Sequence, residues 1–174
     1  MAVSQRSCQR CPLHRTGPLA VSVPLHVEAP GVPLVVLDRP LGDPKFPAGD
    51  VRFRALVSLL PEVSEFAVTY AISCWSNPGK EVPTRSVDAC SFHRRVELAA
   101  LVPPLIVTLG DAATRTYMGV DADVAALDWQ GWLHATGATI FSISDILAVP
   151  TPVQVEALSA YCLQASRGII RDFG

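Results

Sequence analysis

Charge, lysine and long apolar runs are all scarce in this chain of 174 residues. Charged residues make up 17% of the chain and hydrophobic residues 49%, a balance that excludes a disordered or acidic-tail protein. The longest apolar run, 98–110, is interrupted by Pro103 and Pro104 and is too short to span a bilayer. Three arginines among the first fifteen residues break the region where a secretory signal needs an apolar stretch. We therefore expect one domain over 1–174, in a reducing cytoplasmic compartment and without a membrane partner.

The charge balance by itself selects no partner. A formal net charge of −2 gives no global basic footprint of a nucleic-acid-binding protein. Only two of the fourteen basic residues are lysines. Arginine suits bidentate contacts to carboxylate or phosphate, so local arginine clusters are the features to follow.

Short apolar strands alternate with helical patterns along the chain. The sequence predicts strands over 32–37, 65–73, 105–109 and 139–143 and helices over 50–61, 86–101, 112–118 and, within the terminal segment 153–174, over 153–170. A Cys-bearing loop (1–31) precedes the first strand, and 42–49 and 77–84 are predicted as loops. This alternation predicts an α/β fold whose mostly parallel sheet is covered on both faces.

Cysteines give the strongest chemical signal. Cys8 and Cys11 form a Cys-x2-Cys pair, and Cys74 and Cys90 have fifteen residues between them. Buried apolar thiols, a zinc site and an iron–sulfur cluster are all open on this spacing. Zinc usually takes two tight pairs, whereas a four-thiolate cluster tolerates a wide one. Cys162 lies on the apolar face of the terminal helix and is predicted to be a core thiol.

Several segments resemble the family 4 uracil-DNA glycosylases in the same order along the chain. The cysteine spacing is similar to their cluster signature, and 11–13 (CPL) resembles their Cys-x-Leu start. Residues 46–49 and the following helix are similar to their Pro-Phe-Val-Gly segment, and 69–74 (TYAISC) takes the place of Thr-Asn-Val-Val-Lys-Cys. Residues 104–110 with Ala113 resemble Pro-x-Val-Ile-Val-x-Leu-Gly-x-x-Ala. The likeness covers about 8–150.

This resemblance implies a fold and a cofactor. The fold would be a three-layer α/β/α sandwich with a central, mostly parallel four-stranded sheet. The cofactor would be a [4Fe-4S] cluster, with zinc as the weaker alternative, held by the thiolates of Cys8, Cys11, Cys74 and Cys90. Phe46 would be the aromatic that stacks on an extruded base.

The resemblance fails at the three groups that the family uses for catalysis. The carboxylate that positions water corresponds to Asp38, after the first strand, with Glu28 as the alternative. The asparagine that reads the uracil edge corresponds to Tyr70, whose phenol lacks the paired donor and acceptor of an amide. The histidine that stabilises the departing base corresponds to Ser142, with Ser144 beside it, and a serine cannot carry charge.

Basic residues on the cluster side predict phosphate contacts. In the resembled family this region lies beside DNA, and the matching residues here are Lys80, Arg85, Arg94 and Arg95. A solvated helix face is the alternative for each of them.

Together these features predict a DNA-binding, cluster-containing glycosylase homologue with little or no uracil excision. The first alternative is an active glycosylase for a modified or damaged base. In that case Asp38 orients water, and Ser142 or Ser144 contacts the base. The second is a protein–protein module for a replication or repair partner. A monomer is expected in each case.

Overall fold

The computed structural model describes residues 10, 13, 31–40, 49–63, 65–74 and 82–167. Predicted site residues Cys8, Cys11, Phe46 and Lys80, and the alternative carboxylate Glu28, lie outside the described residues. In chain order the elements are β1 (Leu34–Leu37), α1 (Val51–Leu59), β2 (Ala67–Tyr70), α2 (Thr84–Leu101), β3 (Leu105–Leu109), α3 (Asp111–Met118), α4 (Val124–Leu127), β4 (Gln130–Leu133), β5 (Thr139–Ile143) and α5 (Pro152–Ser166).

One sheet forms the centre of the fold, with strand order β2-β1-β3-β5-β4. The pairs β1–β2, β1–β3 and β3–β5 are parallel, and β4 runs antiparallel to β5. The α/β class is confirmed. The expectation of four mostly parallel strands is corrected to a mixed sheet of five strands.

The additional strand, β4, explains that difference. Its sequence, Gln-Gly-Trp-Leu, is largely exposed, so it lacks the buried β-branched run that predicts the other strands. A tight turn joins it to β5: the His134 N–H donates to the Ala138 carbonyl at 2.8 Å, and Gly137 adopts φ +83°. Turn geometry and pairing with β5 therefore form this strand.

Strands β1, β2, β3 and β5 are buried along their whole lengths, as expected for a sheet covered on both faces. Alternate strand residues enter two separate apolar clusters. One cluster contains Val35 and Val107 with Leu56 of α1 and Leu158 of α5; we call it the α1/α5 face. The other contains Val36 and Ile106 with Leu98 of α2 and Ala113 of α3; we call it the α2/α3 face.

Helix ends follow their capping residues. The Asp50 carboxylate accepts the Arg52 N–H at 3.0 Å and begins α1. Thr151 and Gln154 form a reciprocal capping box at the start of α5, with Pro152 in the first turn.

In the described part of the chain, no helix is long and apolar enough to cross a bilayer.

Candidate functional site

The strand order creates a crevice at the carboxyl ends of β1 and β3. These strands are neighbours, yet the helix that follows β1 packs on the α1/α5 face and the helix that follows β3 packs on the α2/α3 face. In open α/β sheets, ligands bind outside the carboxyl ends of strands at such a switch point. Asp38 follows β1 directly and Gly110 follows β3 directly.

Asp38 is held by the start of α3. Its Oδ1 accepts the backbone N–H of Ala113 at 2.8 Å, which satisfies one of the unpaired donors at the helix N-terminus. Its Oδ2 accepts no hydrogen bond from the residues that the structure describes. Burial raises the pKa of Asp38, and the Ala113 N–H and the nearby Arg52 oppose that rise only in part. Among the described residues, the carboxyl group is therefore hydrogen-bonded at one oxygen only.

Gly110 permits this close approach. Its φ of +102° and ψ of 170° belong to a region that is essentially restricted to glycine. A Cβ at this position would lie 2.6 Å from Cγ of Asp38. The glycine of the predicted Leu-Gly strand end is therefore required both by the backbone and by the carboxylate.

A cleft of about 260 Å³ opens at this point. Its volume lies just below the roughly 300–1,000 Å³ usual for drug-sized ligands, so it suits a small group. Its charged and polar lining residues are Asp38, Arg39, Thr84, Asp111, Arg115 and Ser144, and the remaining ones are Val82, Val87, Gly110, Ala112 and Val120.

Arg115 is one of the charged cleft residues that were not predicted from the sequence. Its Nη1 donates to the Val120 carbonyl at 3.2 Å. Its Nε is buried and has no partner within the described residues. Arg115 follows Asp111 by four residues, which is about one helical turn. Both side chains therefore lie on one face of the helix that begins after the Leu-Gly strand end. That spacing was the available signal.

Tyr70 does not line the cleft. It ends β2 on the α1/α5 face, is 2% exposed, and donates its hydroxyl to Asp50 Oδ2 at 3.3 Å. Asp50 also pairs with Arg52 at 2.7 Å, and Arg52 donates to the Arg39 carbonyl at 2.6 Å. Burial and the Asp50 carboxylate raise the pKa of Tyr70. Its phenol thus connects β2 to α1 and to the loop after β1.

Ser142 lies behind the cleft and is fully buried in β5. Its Oγ accepts a hydrogen bond from Thr108 at 3.1 Å, and Thr108 is 3.0 Å from the Thr114 hydroxyl, so three hydroxyls form a buried chain. Ser144, two residues further on, is exposed and lines the cleft. Of the two serines considered from the sequence, Ser144 is the one that the fold brings to Asp38.

Cys74 and Cys90 are brought together in a third buried cluster with Ile72, Val87 and Ala112, which we call the cysteine cluster. Leu13 packs against it, and the guanidinium of Arg10 lies 4.1 Å from the centre of the Phe92 ring. Arg10 and Leu13 therefore both contact the region around Cys90. Among residues 10, 13, 31–40, 49–63, 65–74 and 82–167, no three His, Cys, Asp or Glu side chains form a metal-binding group.

The cysteine cluster and the cleft share a wall. Val82, Val87, Ala112 and Val120 line the cleft and also pack in or against the cysteine cluster. The two buried thiols supply sulfur donors of the kind that a cluster or zinc requires. A group bound there would support one side of the cleft.

The predicted phosphate-binding residues divide into two kinds. Arg85 and Arg95 are exposed on α2. Arg94 is 2% exposed, its guanidinium pairs with Glu97 at 2.7 Å, and it also donates to Thr69 Oγ1 and the Tyr70 carbonyl. This engaged, buried guanidinium cannot reach a phosphate, so Arg94 leaves the predicted set.

Cys162 is fully buried in α5 on the α1/α5 face. Burial raises the pKa of its thiol to about 12, which makes it chemically inert at neutral pH.

No protein-family model matches this chain, and no curated protein matches it either.

Proposed function

We propose that this chain is a DNA-binding homologue of the uracil-DNA glycosylases that carries a [4Fe-4S] cluster and excises uracil with little or no efficiency. The observation that carries the proposal is the shared wall, because Val87 and Ala112 belong both to the cysteine cluster and to the cleft. A cofactor bound by Cys74 and Cys90 would thus be part of the architecture of the cleft.

The fold supports this assignment. Strands β2, β1, β3 and β5 are adjacent and mutually parallel, and helices pack against clusters on both faces. This is the arrangement expected of a three-layer α/β/α sandwich, with β4 added at one edge. The cleft lies at the switch point, where such sheets bind ligands.

Four thiolates, those of Cys8, Cys11, Cys74 and Cys90, would hold the cluster. Its contribution would be structural, because ligand binding would tie the N-terminal segment to α2 and to the end of β2. A reducing compartment would keep the thiols available for metal.

Weak uracil excision follows from the groups that line the cleft. Hydrolysis of the glycosidic bond needs a positioned water, a held base and stabilisation of charge on the departing ring. The described lining contains Asp38 for the water but no histidine and no asparagine. Losing one preorganised donor costs about 10²–10³ in rate, and such losses combine without full additivity. The combined deficit in excision is therefore several orders of magnitude.

DNA binding is the direct test. We expect anaerobically prepared protein to bind DNA, with an affinity that falls as the salt concentration rises. The slope of log K against log salt concentration should decrease in magnitude by about one for each phosphate contact that is removed. Removing Arg85 and Arg95 together should weaken binding about equally across sequences, while Arg54→Ala, an exposed arginine on α1, should leave it unchanged. Failure to bind single- or double-stranded DNA would contradict the proposal and favour a protein–protein module.

Asp38 favours a second candidate, an active glycosylase for a modified or damaged base. Its Oδ1 is fixed by Ala113, its Oδ2 accepts no hydrogen bond from the described residues, and it lines the cleft beside Ser144. A carboxylate held in this way is suited to orient a water. Screening oligonucleotides that contain uracil, hypoxanthine and modified bases for release of free base separates this candidate from the first.

Replacing Asp38 by asparagine tests the role of this carboxyl group through the pH dependence of stability and activity. Because burial raises the pKa of Asp38 in the folded state, its contribution to stability is full below its ordinary value of 3.8 and is lost as the pH rises through the raised pKa. Asn keeps an acceptor for the Ala113 N–H and does not ionise. We expect the unfolding free energy of Asp38→Asn, relative to wild type, to increase with pH across that window, while any base release disappears. Equal pH profiles would show that the carboxyl group is solvated.

A further inference from the structure

An ion pair at the start of α1 contacts the loop that follows β1. The guanidinium of Arg52 binds the Asp50 carboxylate through two nitrogens, from Nε to Oδ1 at 3.0 Å and from Nη2 to Oδ2 at 2.7 Å. The two side chains are only 12% and 4% exposed. The Tyr70 hydroxyl donates to the same Oδ2 at 3.3 Å, so the pair is also tied to β2. A bidentate pair of this kind fixes the orientation of the guanidinium.

The same guanidinium holds the chain just after Asp38. Nη2 of Arg52 donates to the carbonyl of Arg39 at 2.6 Å, and Arg39 and Asp38 both line the cleft. The sheet already fixes the backbone of Asp38, whose N–H donates to Leu109 at 3.1 Å and whose carbonyl accepts from Ile72 at 2.9 Å. The contact from Arg52 extends this hold to the next residue, where the chain leaves the sheet.

The charge of Arg52 also acts on Asp38. Burial raises the pKa of Asp38, and a hydrogen bond from a backbone N–H of α3 lowers it. Among the charged side chains, Arg52 has the largest effect and lowers the pKa, Asp111 raises it, and Arg39 lowers it least. Asp111 is exposed, and Arg115 on the same cleft wall donates to a carbonyl beyond α3. Arg52 is therefore the fixed and little-screened positive charge beside this carboxyl group.

We propose that Arg52 is a positioning residue of the cleft, which holds the loop after Asp38 and keeps the Asp38 carboxyl group negatively charged. An ionised carboxylate accepts a hydrogen bond from water and can orient it, whereas the protonated group cannot serve as a base. The use of that water rests on the glycosylase chemistry proposed above. The coupling between Arg52 and Asp38 does not depend on which base, if any, is released.

A carbon-detected NMR titration of the Asp38 carboxyl group, on the full-length protein with its bound metal, tests the coupling directly. Arg52→Gln should raise the pKa of Asp38 by roughly one pH unit, the lower end of the effect of an opposite charge. Arg52→Lys keeps the positive charge and should leave that pKa close to wild type. Arg54→Gln, the same change at an exposed position of α1, is the matched control and should leave it unchanged. The acid limb of any base release should move with the Asp38 pKa.

A second variant covers the case in which Arg52→Gln does not fold, because that change leaves the Asp50 carboxylate buried without its cation. Asp50→Asn combined with Arg52→Gln removes both charges and keeps an acceptor at the start of α1. It should raise the Asp38 pKa in the same direction. An unchanged Asp38 pKa in the variants without Arg52 would overturn the proposal. A raised pKa in a protein that releases no base would support it and would count only against the glycosylase chemistry.

Discussion

The two faces of the sheet differ in what they bury. The buried cluster that the structure describes on the α1/α5 face consists of aliphatic and aromatic side chains with one inert thiol, and the buried phenol of Tyr70 reaches a carboxylate. On the α2/α3 side the strands instead present Thr69, Thr108 and Ser142, and the buried Arg94 extends from α2 toward them. Buried polar groups add stability only when fully partnered. The α1/α5 face is therefore a packing face, whereas the α2/α3 side also buries polar and charged groups whose contribution depends on their partners.

The largest expected effect comes from comparing the cysteine cluster with Cys162 on the α1/α5 face. Cys74→Ser or Cys90→Ser should lose bound iron and the cooperative unfolding transition together, because cluster binding would tie the N-terminal segment to the core. Cys162→Ala should keep the iron and lower the unfolding free energy by only about 1 kcal/mol, as small core truncations do. Iron analysis and denaturant unfolding measure both quantities. Stoichiometric zinc without iron would contradict the cluster assignment.

Arg94 gives the next largest effect. Arg94→Met should lower the unfolding free energy by about 3–5 kcal/mol, because it leaves the Glu97 carboxylate buried without its partner. The double variant Arg94→Met with Glu97→Leu should recover most of that loss, since it removes both charges. Arg95→Ala, at the neighbouring exposed position, should stay within about 0.5 kcal/mol. A small effect of Arg94→Met would mean that the pair is solvated.

Arg94 also shows that helical periodicity was not used when its role was predicted from the sequence. Its neighbours in the sequence are charged or aromatic, and this local context suggested a basic cluster. The helical spacing of the buried residues Val87, Cys90, Leu98 and Leu101 places position 94 on the same inward side. Periodicity was therefore the better guide to this residue than composition.

Other parts of the molecule were predictable to different degrees. The buried β-branched runs predicted β3 and β5 with their observed bounds, because hydrophobic burial decides those segments. Strand β4 depends on its pairing with β5, and Asp38 depends on a contact with Ala113, which is 75 residues away. Contacts between residues far apart in the sequence leave no local pattern. Neither the added strand nor the hydrogen bond that holds Asp38 could therefore be predicted.

Gly110, at the edge between the two faces, should give an intermediate effect. Gly110→Ala places a Cβ against the Asp38 carboxylate in a backbone region that costs other residues about 1–3 kcal/mol. Gly119→Ala is the matched control, because its φ of +104° is similar while a Cβ there meets nothing within 4 Å. We expect Gly110→Ala to be more destabilising by a further ~1.5–3 kcal/mol, the contribution of a hydrogen bond to a charged group. Equal losses in urea unfolding would show that Asp38 moves aside freely.

The smallest expected effect is a gain in stability at the end of α2. Val102 has φ +45° and ψ +53°, a left-handed conformation that costs a β-branched residue about 1–2 kcal/mol. It is 58% exposed, so its side chain contributes little packing. Val102→Gly relieves that strain, but the greater freedom of glycine in the unfolded chain costs roughly 0.5–1 kcal/mol of stability. We therefore expect a net stabilisation of about 0.5–1 kcal/mol.

Val149→Gly is the control for that gain, because Val149 is 96% exposed and does not have a positive φ. It should be neutral or slightly destabilising, since glycine there adds only unfolded-state entropy. Both changes are measured as unfolding free energies in urea. If Val102→Gly destabilises the protein instead, the Val102 side chain contributes more packing than its exposure indicates. The end of α2 would then owe part of its stability to that packing, and the contrast between the two faces would become smaller.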